Sequence, residues 1–249
     1  MKNVRIKRKG GININANKRR KITTLMPKKT FLSVPRFPGY FADQPLRKFC
    51  RLRYVSVDNL AGPTAATIRT IEFRANGMYD PDVRVGGHQP YGFDQIMLGY
   101  GKFTVVKASM TVENLNAIYG NNVSLVPAVY VESGAMGAAY AASGANGVCE
   151  MPFAGHELLM DCYATNTVGN KRSTTVWFDS SKIFGKKAWD LIGDDRFCGT
   201  ASADPTQQAY FGIGLYSPTA VDESGHSFPF KVTITYYAVM TEPKWFTTS

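Results

Sequence analysis

Phe228-Pro229-Phe230-Lys231-Val232-Thr233-Ile234-Thr235-Tyr236-Tyr237-Ala238-Val239-Met240-Thr241 is the longest alternating run in this chain of 249 residues. Phe230, Val232, Ile234 and Tyr236 fall on one side of it, and Lys231, Thr233, Thr235 and Tyr237 on the other. Alternation of β-branched and aromatic residues with polar ones at a period of two predicts a strand with one face buried and one face wet. So long a strand needs long neighbours, and working outward finds them.

Residues 208–216 alternate again, with Phe211, Ile213 and Leu215 inward. Residues 173–179 set Trp177 and Phe178 on opposite faces, and residues 103–113 set Val106, Ala108, Met110 and Val112 inward against Lys107, Ser109, Thr111 and Glu113. Residues 48–57 place Cys50, Leu52, Tyr54 and Ser56 opposite Phe49, Arg51, Arg53, Val55 and Val57. Weaker strand signals lie at 66–74, at 157–163, and at 123–132, where Pro127 indicates an edge strand or a bulge. Turn chemistry separates these runs: 58–64 with Gly62-Pro63, Asn76-Gly77, and Gly120-Asn121-Asn122. The best helical signal is Phe93, Ile96, Met97 and Tyr100 at i, i+3, i+4 and i+7, bracketed by Pro90 and Gly101 with Asp94 in the first turn. Residues 78–89, 133–147 and 182–204 are long connections without a strand or helix signal strong enough to assign.

No helix here is long enough to cover a sheet face, so the sheets must cover each other. Eight antiparallel strands in two packed sheets is the jelly-roll count, and an up-and-down barrel would want shorter hairpins than these. No repeat of 20–50 residues is visible, which argues against propellers and solenoids. The expected fold is all-β: an eight-stranded antiparallel jelly roll with long inter-strand loops and a disordered basic amino-terminal arm.

The arm follows from the charge. Of 29 Lys and Arg in the chain, twelve lie in residues 1–42: Lys2, Arg5, Lys7, Arg8, Lys9, Lys18, Arg19, Arg20, Lys21, Lys28, Lys29 and Arg36. The first acid is Asp43, so residues 43–249 hold the other 17 bases and all 19 acids, a net of −2. Apolar residues are too sparse in 1–42, and Gly10-Gly11 and the series Asn13, Asn15 and Asn17 too disruptive, to offset the ordering entropy. Pro27, Pro35, Pro38 and Pro45 make its end an extended linker. The expected division is residues 1–42 as a nucleic-acid-binding arm and linker and residues 43–249 as one domain. Lys18, Arg19, Arg20 and Lys21 also form a candidate nuclear-import signal. An idle solvated tail and a mitochondrial presequence are the competing readings, the second weakened because Ser33 is the only serine before Ser56. No secretory apolar core follows the bases and no run of about 18 apolar residues occurs, so a soluble intracellular protein without a membrane partner is expected.

Catalytic chemistry finds no constellation. His88, His156 and His226 stand far apart without metal-ligand spacing, and neither a nucleophile elbow nor a phosphate loop occurs. Cys50, Cys149, Cys162 and Cys198 lack CxxC spacing and are expected as reduced, buried residues. Asp80 and Asp82 suggest a calcium pair less well than an Asp-Pro turn. Asn122-Val123-Ser124 is a glycosylation sequon that an intracellular chain would not use. No enzyme, no metal and no cofactor is expected. Trp177, Trp189, Trp245, Tyr210 and Tyr216 are either base-stacking residues or core and subunit interface. Basic residues at the root of the arm, Arg47, Lys48, Arg51 and Arg53, are the further candidates for nucleic-acid contact.

The stretch His88-Gln89-Pro90-Tyr91-Gly92-Phe93-Asp94-Gln95, then Tyr100, then Phe103-Thr104-Val105 resembles the segment between the second and fourth strands of capsid proteins from small circular single-stranded DNA viruses of the circovirus-like group. Asn76-Gly77-Met78-Tyr79-Asp80-Pro81 fits the same neighbourhood, and Phe184-Gly185-Lys186-Lys187 with Asp204-Pro205-Thr206 looks like that family's long loop before the seventh strand. The arm mixes Lys with Arg where the family has long Arg runs, and residues 134–147 have no counterpart there. The resemblance implies a jelly-roll subunit that assembles with copies of itself into an icosahedral shell around circular single-stranded DNA. It also implies import receptors and a cell-surface attachment factor as host partners, and the virion and the host nucleus as locations. The alternatives are the shell protein of a small RNA or satellite virus, a cellular nucleic-acid-binding β-sandwich, and an enzyme on a jelly roll.

Overall fold

The computed structural model describes residues 45–64, 68–84, 87–115, 124–131, 155–156, 160–161, 173–216, 222, 224–225 and 227–244. Nine strands, β1 (Lys48–Ala61), β2 (Ile68–Arg74), β3 (Tyr100–Asn114), β4 (Ser124–Val131), β5 (Gly155–His156), β6 (Met160–Asp161), β7 (Ser173–Asp179), β8 (Ala209–Tyr216) and β9 (Ser227–Pro243), form two antiparallel sheets. One sheet runs β1-β9-β3-β7, and the other runs β2-β8-β4 with β5 and β6 together along the far side of β4. Counting β5 and β6 as one position gives eight positions. Chain order then crosses between the sheets at every step except from β4 to β5 and β6, the connectivity of two Greek keys, so the molecule is a jelly roll.

The core lies between the sheets and is made of the inward half of each alternation. Leu52, Tyr54, Phe230, Val232, Ile234, Tyr236, Met110 and Phe178 from one sheet meet Ile71, Phe73, Phe211, Ile213 and Leu215 from the other, and all are buried. Tyr236, fully buried in this layer, donates its hydroxyl to the Arg74 carbonyl at 2.8 Å. Without that acceptor a buried phenol would be costly.

Several expectations need correcting. The 103–113 alternation slips within β3. Val105 pairs with Ala238 and Lys107 with Tyr237, so Val106 is the extra residue of a bulge and not an inward one. The inward set is therefore Phe103, Val105, Ala108, Met110 and Val112. The bulge turns the Val106 carbonyl to Ser180, whose Oγ donates to it at 2.8 Å. Residues 58–61, expected as a turn, continue β1 because β9 is long enough to pair them down to Ser227. Tyr100, expected on the helix face, opens β3, and the helix α1 ends earlier (Phe93–Met97). Pro127 lies inside the sheet with no bulge there, since β4 pairs with β8 throughout. Of the expected strand at 157–163, the described residues include β6 at 160–161, with β5 at 155–156 ahead of it, and 157–159 and 162–163 lie outside the described residues. The described pairs of β5 and β6 with β4 involve Ser124, Leu125, Ala128 and Val129. Residues 132–147 lie outside the described residues.

The 182–204 connection is built, not irregular. Helix α2 (Ser180–Phe184) starts at Asp179, whose carboxylate accepts from Ser181 N, and stops at Gly185 in the left-handed region at φ 65°. Helix α3 (Ala188–Ile192) and a 3-10 turn (Asp195–Phe197) follow. The segment then bridges β3 beyond the end of β7: Phe103 N donates to Gly199 O and Gly199 N to Phe103 O, both at 2.9 Å. A Cβ at Gly199 would run into the Phe103 ring, which is fully buried. Gly199→Ala is therefore expected to cost about 1–3 kcal/mol, read as a lowered denaturant midpoint at unchanged slope.

Asp204 anchors the loop after β2. Its carboxylate accepts from Tyr79 N at 3.0 Å and Asp80 N at 3.2 Å and lies 3.6 Å from Arg74 Nε. Burial outweighs these partners and pushes its pKa up to about 6. Because the native state holds this proton to a higher pH than the unfolded chain, stability should fall as pH rises from about 4 to about 6. Melting temperatures across that window should decline less for Asp204→Asn than for the parent chain, and parallel curves would contradict the assignment.

Candidate nucleic-acid interface

The strand period decides which of the basic residues at the arm's root can act together. Arg51 and Arg53 lie two apart on β1, so both point away from the core, and both are exposed. Lys48 has the parity of Cys50 and Leu52, so it does not share the face of Arg51 and Arg53, although it is exposed at the strand's start. Arg47 precedes β1 and finds its place through the 180–199 segment: its guanidinium lies 5.0 Å from the Trp189 ring centroid. Arg51 is held similarly, 5.7 Å over the Tyr237 ring of the neighbouring strand. Cation–π contacts of this kind fix a guanidinium without consuming its hydrogen-bond donors.

Register across the sheet places these cations in rows on its outer surface. Arg51, Tyr237, Lys107 and Asp179 form one row, and Arg53, Thr235, Ser109 and Trp177 the next. Val55, Thr233, Thr111 and Thr175 form a third, in which the two threonine hydroxyls of β3 and β7 meet at 2.9 Å. The carboxylates on this surface are neutralised within it, Asp179 by Lys107 at 3.4 Å and Glu113 by Lys231 at 3.0 Å. Among the described residues, Arg51 and Arg53 have no such carboxylate, so the surface carries their positive charge uncancelled.

One end of the surface is roofed. Helix α3 and the 3-10 turn lie over Thr104 and Val239, both buried, with Thr104 Oγ1 3.1 Å from Cys198 Sγ. Lys102 Nζ, bound to Asp195 at 3.0 Å and Glu242 at 2.6 Å, ties the roof to the end of β9. Lys186 and Arg196 converge on Asp194, which holds that carboxyl well below the usual range. These cations are engaged in structure.

The remaining expectations sort by environment. Among the aromatics, Trp177 and Trp189 are exposed while Tyr210 is buried and bonded to Gln208 Oε1. Trp245 and the Tyr216 side chain lie outside the described residues, as do the arm's twelve cations from Lys2 to Arg36 with the import candidate Lys18, Arg19, Arg20 and Lys21. Asp80 and Asp82 do not make a calcium pair, because Arg74 takes the first at 3.3 Å and Arg84 the second at 2.6 Å. His88 stacks on Tyr54 with centroids 4.6 Å apart. Burial pushes the thiols of Cys50 and Cys198 up, away from reactivity. Within the 88–105 motif, Phe93 and Phe103 are buried edge to face at 5.4 Å. The Tyr100 hydroxyl donates to the Pro45 carbonyl at 3.0 Å. That bond pins the root of the arm to the body, and sequence alone gave no sign of it.

No protein-family model and no curated protein matches the chain. Solved structures to which it is similar include the 60-mer BFDV capsid protein, with 11% identity, 82% of this chain and 97% of that chain covered, and a TM-score of 0.40. Mud crab tombus-like virus follows at 9% identity, 84% and 96% coverage and a TM-score of 0.47. Tobacco necrosis virus is similar at 14% identity, 81% and 85% coverage and a TM-score of 0.42.

Proposed function

We propose that the chain is a viral coat protein that assembles with copies of itself into a small icosahedral shell and packages a circular single-stranded DNA genome through its basic arm. The observation that carries this reading is the division of charge: an acid-free arm of +12 joined to a jelly-roll body of −2. Subunits with strong like charge would repel at every interface, whereas a nearly neutral body can pack against copies of itself. A closed shell also buries the sheet edges and loop ends that a jelly roll leaves open. The arms meet in one interior, where many weak contacts act on one genome. Arg47, Lys48, Arg51 and Arg53 extend the arm's charge onto the body. The protein has no enzymatic role in this reading. Lys18 to Lys21 serve nuclear import before assembly, host import receptors and an attachment factor are further partners, and the virion and host nucleus are its locations.

The purified chain should appear in electron microscopy as shells of uniform diameter, and dispersed monomers would overturn the reading. Sensitivity of the contents to DNase and not RNase checks the genome type, and the opposite pattern makes this an RNA virus protein. Deleting residues 1–36 should leave shells that absorb as protein with little nucleic acid. If about half the arm's bases touch phosphate, affinity for single strands should fall about a hundredfold for a threefold rise in salt. Charge reversal at Arg47, Lys48, Arg51 and Arg53 should lower packaged nucleic acid while shells still form.

A further inference from the structure

Trp177 is the anomaly on the outer surface of the β1-β9-β3-β7 sheet. It is 60% exposed on the edge strand β7, with Ser109 beside it and Thr175 next on its own face of β7. An exposed indole in a subunit contact would be expected among apolar neighbours. Here its own row holds Ser109, Thr235 and Arg53, the first two buried, and the flanking positions on β7 and β3 are Thr175, Asp179, Thr111 and Lys107, while the apolar Val55 of the third row lies three strands away. With Asp179 and Glu113 both paired, the net charge of this surface is positive and unsatisfied.

We propose that this sheet surface binds single-stranded nucleic acid directly, with one base stacked on Trp177 and the backbone phosphates held by Arg51 and Arg53. Strand spacing puts Arg53 and Trp177, three strands apart in one row, about 14 Å from each other, a span that a few nucleotides bridge. Tyr237 beneath Arg51 keeps that guanidinium spread over the sheet with its donors free. A sheet face carrying an exposed aromatic beside exposed cations suits bases in general and selects none, because every base has a π-face. It would suit packaging of a whole genome. The cations of the arm precede β1 directly in sequence, Arg36 standing twelve residues before Lys48, so a strand engaged by the arm is within reach of the sheet. The inference rests on the coat-protein reading and assigns to the body a contact that the reading gives mainly to the arm.

The test is titration of the full chain with a fluorescent oligothymidylate at two salt concentrations. Trp177→Ala should weaken binding about tenfold or more with the salt slope unchanged, since stacking releases no counterions. Trp177→Phe should recover most of the affinity, and Arg53→Ala should flatten the slope by about 0.7. Tyr91→Ala, 95% exposed on the loop before α1, should bind as the parent does. Oligonucleotide should also quench tryptophan emission, and Trp177→Phe should remove most of that quench. Parental affinity and quench in the Trp177 variants would overturn the proposal and leave the arm as the packaging element. Loss of shells with unchanged oligonucleotide affinity would make the surface a subunit interface and overturn it equally. A parent chain that binds no oligonucleotide would sink the coat-protein reading along with it.

Discussion

The body depends on one ladder, the pairing of β1 with β9. All fourteen residues of β1 are in register with β9, from Lys48 opposite Met240 to Ala61 opposite Ser227. These partners stand nearly the whole body apart in sequence, so closing them forfeits loop entropy before any contact offsets it. The return comes from β9, which is paired on both sides and buries Phe230, Val232, Ile234, Tyr236, Ala238 and Met240 against the second sheet. Such a topology is rich in non-local contacts and should fold slowly for its size. It also sets the outer face: the register that buries Leu52 and Tyr54 is the one that turns Arg51 and Arg53 outward beside Tyr237 and Thr235.

The strands were legible where a period of two met a one-sided environment. Ile213 and Leu215, or Val232 and Ile234, announce their faces because the opposite positions hold Gly, Lys or Thr. Legibility failed where the backbone broke its own rule. The bulge at Val106 leaves no trace in composition, since valine suits either face, and only the register against β9 exposes it. The helices at 180–184 and 188–192 are too short for a periodic stripe, and the capping of the first by Asp179 and Gly185 is visible only in retrospect. Pro127 misled, because it lies in an interior strand paired with β8 throughout.

The candidate interface divides the same way. Sharing of a face by Arg51 and Arg53 follows from spacing alone, as does the exclusion of Lys48. That Arg47 belongs with them depends on Trp189, and that Trp177 does depends on a row crossing four strands, neither of which local sequence encodes. Within the motif at 88–105, Phe93 and Phe103 are core, and Tyr100 secures Pro45.

That anchor has a mechanical consequence. A pull on the chain at Pro45 first loads the single Tyr100–Pro45 bond and then the start of β1 at Lys48. If the pull runs along the strand it shears the whole β1–β9 ladder at once, with every pair sharing the load. If it runs across the sheet it peels the pairs one at a time from Met240 downward. The body is therefore an anisotropic spring, stiff to tension along β1 and compliant to tension across it. The direction in which a tethered polymer tugs, and not only how hard, sets how long the fold survives under load.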